Sequence, residues 1–385
     1  MKRRTFLTAT TASLAATQLA GPASASTSTS GSTAKNYEVV ARFWGAMPTG
    51  VTVSRRGRIF VNFPRWGDDV PFTVAELRGG KPVAYPDAEV NRQDASDLAG
   101  HFQSVQSVVV DAADRLWILD TGSPLFAGSS YGGPKLVAVD LRTDRIVRKI
   151  LFPPEVVPAN SYPNDVRLDL RRGAEGTAFI TDSGGSNGII VVDLATGRSW
   201  RRLTGHPSAL PDKDFLPIID GEPFMVRPAG GEPVHYETGS DGIALSADGT
   251  RLYYCPLSSR RLHSVSTDAL ADPHATDTDV AATVEDHGFK PMADGLESDD
   301  KGRLYGGDLE HNTIWRRNPN GTYQTLAQGA DLLWTDTLSI ATDRHLYAIA
   351  NQLNRLSPFH EGQDLRRKPY LLIRLPINAG PVRLV

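Results

Sequence analysis

The sequence predicts an all-β fold, a six-bladed β-propeller, from three observations. A hairpin phrase recurs six times, each copy is followed by further strand-like runs, and long amphipathic crossovers are missing between the copies. The phrase is plainest in "SDGIALSADGTRLYYC" and "ADGLESDDKGRLYGGD". Both open on Asp-Gly, run through an apolar or alternating stretch, turn at Asp, Gly and Thr or Lys, and resume with Arg-Leu-Tyr. That order of residues encodes a β-hairpin.

Taken along the chain, the copies are "TGVTVSRRGRIFVN" from Thr49, "QSVVVDAADRLWILD" from Gln106, "NDVRLDLRRGAEGTAFITD" from Asn164, the two above with Asp241 and Asp294, and "DTLSIATDRHLYAIAN" from Asp336. Their first residues lie 57, 58, 77, 53 and 42 positions apart, and the longest interval holds a Pro- and Gly-rich insertion at roughly 206–236. Each unit adds strand-like runs such as "FTVAEL" and "KPVAY", or "KLVAVD" and "RIVRKILF". Units of about four short strands at this period make propeller blades. An α-solenoid is excluded because the runs are short, rich in Val, Ile, Tyr and Phe, and separated by turn residues. A parallel α/β fold would need the crossovers that are missing. Ring closure should set "YEVVARFW" near the start beside "YLLIRLPI" near the end, giving one domain over 37–385.

Ahead of that domain, residues 1–25 carry Lys2, Arg3 and Arg4, an apolar run and small residues at Ala23 and Ala25, the order of a removable export signal. Its "RRTFL" resembles a twin-arginine signal, so the expected location is the periplasm or the exterior. The apolar run is too short to remain as a membrane span. Residues 26–36, rich in Ser and Thr, read as a flexible leader. Without the signal, 38 basic residues stand against 44 acidic ones, which argues against nucleic acid as a partner. Cys255 is the only cysteine, which excludes an intramolecular disulfide and a thiolate metal cage.

Antiparallel neighbours put the starts of the innermost strands and the ends of the second strands on one face, and the hairpin turns on the other. Asp248, Asp299, Asp300 and Asp343 fall in those turns, where Asp is ordinary turn chemistry. The strand starts Thr49, Gln106, Asn164, Asp241, Asp294 and Asp336 converge on one mouth of the channel. Carboxylates crowded there repel, so either a hard cation such as Ca²⁺ or Mg²⁺ sits among them or one has a raised pKa. The structural alternative is that these polar residues cap backbone groups and hold channel water. The same face receives Arg65, Trp66 and Asp68, then Asp182, then Asp308 and His311. Trp66 offers a flat wall to a ring, or packs between blades; Arg65 offers a site for an anion. Ser130 in "GSSYG" fits G-x-S-x-G but lies in a Gly-rich loop and not at a strand-to-helix elbow. The nine His residues show no zinc spacing, and there is no P-loop or dinucleotide fingerprint.

The strings "PTGVTVSRRGRIFVNFPRWGDDVPFTVAEL", "TDSGGSNGIIVVDL" and "LWTDTLSIATDRHLYAIANQLNRL" resemble the Yellow and major royal jelly protein family in its bacterial form. The resemblance implies an exported six-bladed propeller, insect members of the family being linked to dopachrome conversion and others binding biogenic amines in the channel. A more distant similarity is to gluconolactonase and regucalcin propellers, whose divalent ion is held by strand-start Glu, Asn and Asp. Asn164, Asp241 and Asp294 match such metal positions, whereas Thr49 stands where those enzymes present Glu.

Three functions stay open on the sequence. A tautomerase would use Asp241 or Asp294 as the catalytic base, with Asn164 or Arg65 steadying an oxyanion. An ion-assisted lactonase would polarise a carbonyl with the cation. A non-catalytic binder would pair the acidic ring with an amine and stack Trp66 on its aromatic group, Arg65, Asn164, Asp182, Asp308, His311 and Asp336 completing the ligand site.

Overall fold

Six four-stranded antiparallel sheets surround a central channel in the computed structural model, which describes residues 36–385. The export signal at 1–25 and all of the leader except Asn36 lie outside the described residues. The innermost strands are Gly50–Val53, Val105–Val110, Pro163–Asp169, Ser240–Leu245, Leu296–Ser298 and Thr335–Ile340, and each packs beside the next until the sixth meets the first. In the sixth blade the outermost strand comes from the other end of the chain. Glu38–Phe43 pairs antiparallel with Tyr370–Pro376, so the ring is closed by backbone hydrogen bonds between segments over 300 residues apart. Among the described residues no helix is long and apolar enough to cross a membrane.

The hairpin turns use one device repeatedly. Asp111 Oδ1 accepts from the backbone N–H of Ala113 and Arg115, each at 2.9 Å, while its Oδ2 accepts from Arg115 Nε at 2.7 Å and Trp117 Nε1 at 2.8 Å. Asp299 does the same with Lys301, Arg303 and the Tyr305 hydroxyl. One carboxylate thus satisfies the turn's orphan donors and ties the turn to the aromatic residue of the following strand. That accounts for Asp, Arg-Leu and the following Trp or Tyr in blades 2 and 5. Asp248 and Asp343 serve their turns likewise.

Between blades the alternating strand residues interdigitate. Trp117, Leu119 and Leu136 meet Val166, Ala178 and Ile180, all buried, and this seam repeats around the ring. At the turn face, the C-terminal segment crosses the ends of the innermost strands: the N–H of Asp300 donates to the Gly380 carbonyl at 3.0 Å, and that of Leu170 to Leu384 at 2.9 Å.

Candidate functional site

A cavity of about 380 Å³ opens at the other mouth of the channel. Its floor is made by strand-start residues, and a backbone irregularity explains why they face inward. In blades 2, 3, 4 and 6 the pairing between the first and second strands slips at its first residues, at Val105/Ser107, Pro163/Val166, Ser240/Ile243 and Thr335/Leu338. The skipped residues include Gln106, Asn164, Asp241 and Asp336. A bulge turns an extra residue out of the pleat and re-aims its side chain; here the side chains are aimed into the cavity. Asp294 reaches the same floor from just before the fifth innermost strand, where the N–H of Gly295 donates to the Asp336 carbonyl. Blade 1 has no slip. Its Thr49, just ahead of the first paired residue Gly50, accepts a 2.8 Å hydrogen bond from Asn62 Nδ2 and does not line the cavity.

The floor is therefore three carboxyls and two amides. Asn164 Nδ2 donates to Asp241 Oδ1 at 2.6 Å. Asp241 and Asp294 stand close enough for each carboxyl to act on the other. Trp334 Nε1 donates to Asp294 Oδ2 at 2.7 Å, and Asn351 Nδ2 to Asp336 Oδ2 at 2.6 Å. Burial pushes all three acids up. For Asp241 the nearby Asp294 adds to the effect, as it does for Asp336. Asp294 is pushed up to about 6, burial being partly offset by the hydrogen bonds it accepts from Asp241 and Trp334. No Lys, Arg or His is among the residues lining the cavity.

The walls are aromatic. Trp66, from the end of the second strand of blade 1, donates its Nε1–H to the Tyr162 hydroxyl at 2.8 Å, and that hydroxyl donates to Gln106 Oε1 at 3.1 Å. Phe126 stacks on Trp66 with centroids 5.1 Å apart and planes 23° apart. On the opposite side Tyr236 and Phe359 meet edge to face at 5.5 Å. Tyr236 ends the insertion foreseen at 206–236, which folds as two small hairpins, Ile218–Ile219 with Glu222–Pro223 and Met225–Val226 with Val234–His235. The insertion is strapped to blade 6 by the Arg227 N–H to Pro358 carbonyl bond at 2.8 Å and the Arg355–Asp220 ion pair. The insertion and the segment around Phe359 together form this wall of the cavity.

Four residues expected at the site do not line it. The Arg65 guanidinium donates to the backbone carbonyls of Gln103, Asn91 and Val70, and its burial lowers its pKa, so it holds loops together and offers no anion site. Asp182 is fully buried, paired with Arg201 at 2.7 Å and bonded to Ser161 Oγ and the Tyr162 N–H; it positions the wall from behind. Asp308 binds His311 Nδ1 at 2.8 Å on the exposed rim, away from the cavity. Phe126, Tyr162, Tyr236, Phe359 and Trp334 were not singled out from the sequence. The signals for them were the Gly-rich "GSPLFAGSSYGG" loop, the 77-residue interval and the "LWTDT" string preceding Asp336.

Among the described residues no three or more His, Cys, Asp or Glu side chains are grouped to hold a metal ion. Asn164 turns its amide N–H₂ to Asp241, and Thr49 is engaged by Asn62.

Fold and cavity together define a six-bladed propeller with an acid-floored, aromatic-walled chamber at one channel mouth. The chain belongs to the major royal jelly protein family, whose model matches residues 103–370. It is 31% identical over 250 residues to Protein yellow of Drosophila erecta and, equally, to that of Drosophila melanogaster, covering 60% of this chain and 43% of either relative. The chain thus spans less than half the length of these curated relatives. In fold it is similar to a luciferin-regenerating enzyme (TM-score 0.55, 10% identity, 90% of this chain and 98% of that one). It is also similar to regucalcin, a calcium-binding protein from Agrobacterium tumefaciens (0.52, 13%, 91% and 96%), and to a gluconolactonase from Xanthomonas campestris (0.52, 13%, 88% and 88%). At these identities the likeness is one of fold.

Proposed function

We propose that the chamber binds a small aromatic amine, its ammonium seated on Asp241, Asp294 and Asp336 and its ring held by the aromatic walls. The observation that carries this reading is the charge imbalance. Three buried carboxyls converge on a cavity whose lining contains no cationic side chain. Lys290 acts on Asp294 from outside the lining, but three buried carboxyls facing one cavity remain costly to ionise, and a bound ammonium supplies charge there while the faces of Tyr236 and Phe359 attract it. A volume of about 380 Å³ suits a ligand of one or two rings. The test is calorimetric titration of the full chain with 2-phenylethylamine and with its neutral isostere 2-phenylethanol. The amine should bind at least tenfold more tightly; equal affinity sinks the reading.

A second reading, proton transfer within a bound ring compound, is favoured by the neighbouring carboxyls of Asp241 and Asp294, both raised by burial. With Asp294 near 6, the pair holds one acid and one base close to neutral pH. In a dopachrome-like tautomerisation Asp294 would take a ring proton and Asp241 would return one. The measurement is loss of dopachrome absorbance over the uncatalysed rate, which should vanish in Asp294→Asn. Lactone hydrolysis through a divalent ion would need Asn164 to turn its carbonyl oxygen, and Asp241 and Asp294 their carboxylates, to that ion. We also infer that residues 1–25 direct export of the folded chain, which predicts that Arg3→Lys with Arg4→Lys leaves the precursor inside the cell.

A further inference from the structure

The loop carrying Phe126 differs from the rest of the chamber wall. It joins the second and third strands of blade 2, Arg115–Asp120 and Lys135–Asp140, and its base is clamped. Lys135 and Asp120 form a fully buried ion pair at 2.8 Å. The ammonium donates to the carbonyl of Gly133 at 2.9 Å, and the carboxylate accepts from the N–H of Gly122 at 2.9 Å. Gly122, with φ 65°, lies so close to the returning strand that a Cβ on it would stand 2.4 Å from the Gly133 carbonyl carbon.

The tip is held differently. Leu125 and Phe126 both have left-handed backbones, φ 55° and 56°, which side-chain-bearing residues adopt only under constraint. They are 68% and 60% exposed. The tip's ties to neighbouring loops are two backbone bonds, Leu125 N–H to Arg65 O at 2.8 Å and Ser129 N–H to Ala159 O at 3.0 Å. A strained, mostly exposed Phe gains little from burial. What its ring does touch is Trp66, at 5.1 Å, and Tyr162, at 5.4 Å.

We propose that residues 123–131 are a lid and Phe126 its gate: a flat ring displaces Phe126 from the face of Trp66, and Phe126 closes on the ring's far side. The rings as they stand leave no room between them, so the tip must retreat by roughly 3.5 Å, one carbon contact distance. Fixed hinges and a strained tip permit that movement without unfolding blade 2. The inference rests on the amine-binding reading and adds selection for planarity, because a ring sandwiched between two aromatic faces must itself be flat.

The test uses the full chain and two amines of equal charge and chain length, 2-phenylethylamine and 2-cyclohexylethylamine. The unsubstituted protein should prefer the flat ring about fivefold, within the range for one aromatic pair. Phe126→Ala should cut that preference below twofold and speed both association and dissociation; Phe126→Trp should keep it. In hydrogen exchange without ligand, the amides of Leu125 and Phe126 should exchange at least 100-fold faster than those of 115–120, and slow when 2-phenylethylamine is added. Exchange at 125–126 as slow as in the strands overturns the lid, as does an Ala variant that keeps the full preference. If neither amine binds the unsubstituted protein, the amine-binding reading falls, and the exchange rates at 125–126 still decide whether the loop opens.

Discussion

Acidification should weaken amine binding, and the size of the effect follows from the floor of the chamber. Burial holds Asp294 up at about 6 and Asp241 well above the usual carboxylate range, so near neutral pH Asp294 is the acid of the two that ionises. An ammonium needs that site ionised, and a proton competes for it. Lowering the pH from 7 to 5 takes the ionised share from roughly ten in eleven to one in eleven. Apparent affinity for 2-phenylethylamine should therefore fall about tenfold, about 1.4 kcal/mol, while the ligand's own amine, titrating near 10, stays charged throughout. Titrations at half-unit steps in matched ionic strength measure the slope, and repeating them in buffers of different ionisation enthalpy counts the protons released. Asp294→Asn should abolish the slope and weaken binding at pH 7 by tenfold or more. Affinity that is flat within twofold, or that rises on acidification, refutes the argument that the ligand's cation replaces the proton of Asp294.

The same carboxyls should make the site costly to the fold. An acid whose native pKa lies above its unfolded value contributes stability that is complete below about pH 4 and lost as pH rises through the native pKa. Asp294→Asn should thus stabilise the protein at pH 7 by on the order of 2–3 kcal/mol and change little at pH 4, as read by urea unfolding at both values. Trp334→Phe, which removes the 2.7 Å donor to Asp294, should move the binding midpoint upward by about one pH unit. Lys135→Met, which leaves the buried Asp120 without its cation, should cost about 3–5 kcal/mol in the same unfolding assay. Dialysis against a chelator should leave amine affinity within twofold; binding that is lost and then restored by calcium would return a divalent ion to the floor.

Legibility in the sequence followed from how strictly each residue's direction is set. The propeller was readable because the turn device, an Asp clamping its own hairpin to an aromatic residue of the next strand, recurs in blades 2, 5 and 6, at the same offset in the first two. The floor was readable for the same reason, since strand starts near a symmetry axis must converge. Strand ends are different. Position there fixes the face of the molecule but not the side chain's direction, so Arg65, Asp182, Asp308 and His311 could be placed on the correct face and still miss the cavity. Trp66 reached it because its indole is held by Tyr162, a partner 96 positions away that no local pattern announces. Phe126, Tyr236 and Phe359 come from connections of unequal length, and periodicity says nothing about the path of such segments.

The order of residues around the floor gives the chamber a direction. Blades 2 and 3 supply Gln106 and Asn164, neutral amides, and blades 4, 5 and 6 supply Asp241, Asp294 and Asp336. Trp66, stacked with Phe126, is tied through the Tyr162 hydroxyl to Gln106 of the amide half, whereas Tyr236, in contact with Phe359, feels the charge of Asp241, Asp294 and Asp336. A ligand with a flat ring and a charged amine cannot use these halves interchangeably. Its ammonium belongs beside blades 4 to 6, where carboxylates and ring faces both attract a cation, and its ring beside blades 1 to 3, where the neighbours are flat and uncharged. Asn164 sits at the boundary, donating to Asp241, and so keeps its side of that carboxyl from accepting a second cation. Turning the same ligand around would set an ammonium against neutral amides and a ring against ionisable acids. The asymmetry of charge, produced by which blades place an acid at their bulge, is thus enough to select one orientation of the ligand.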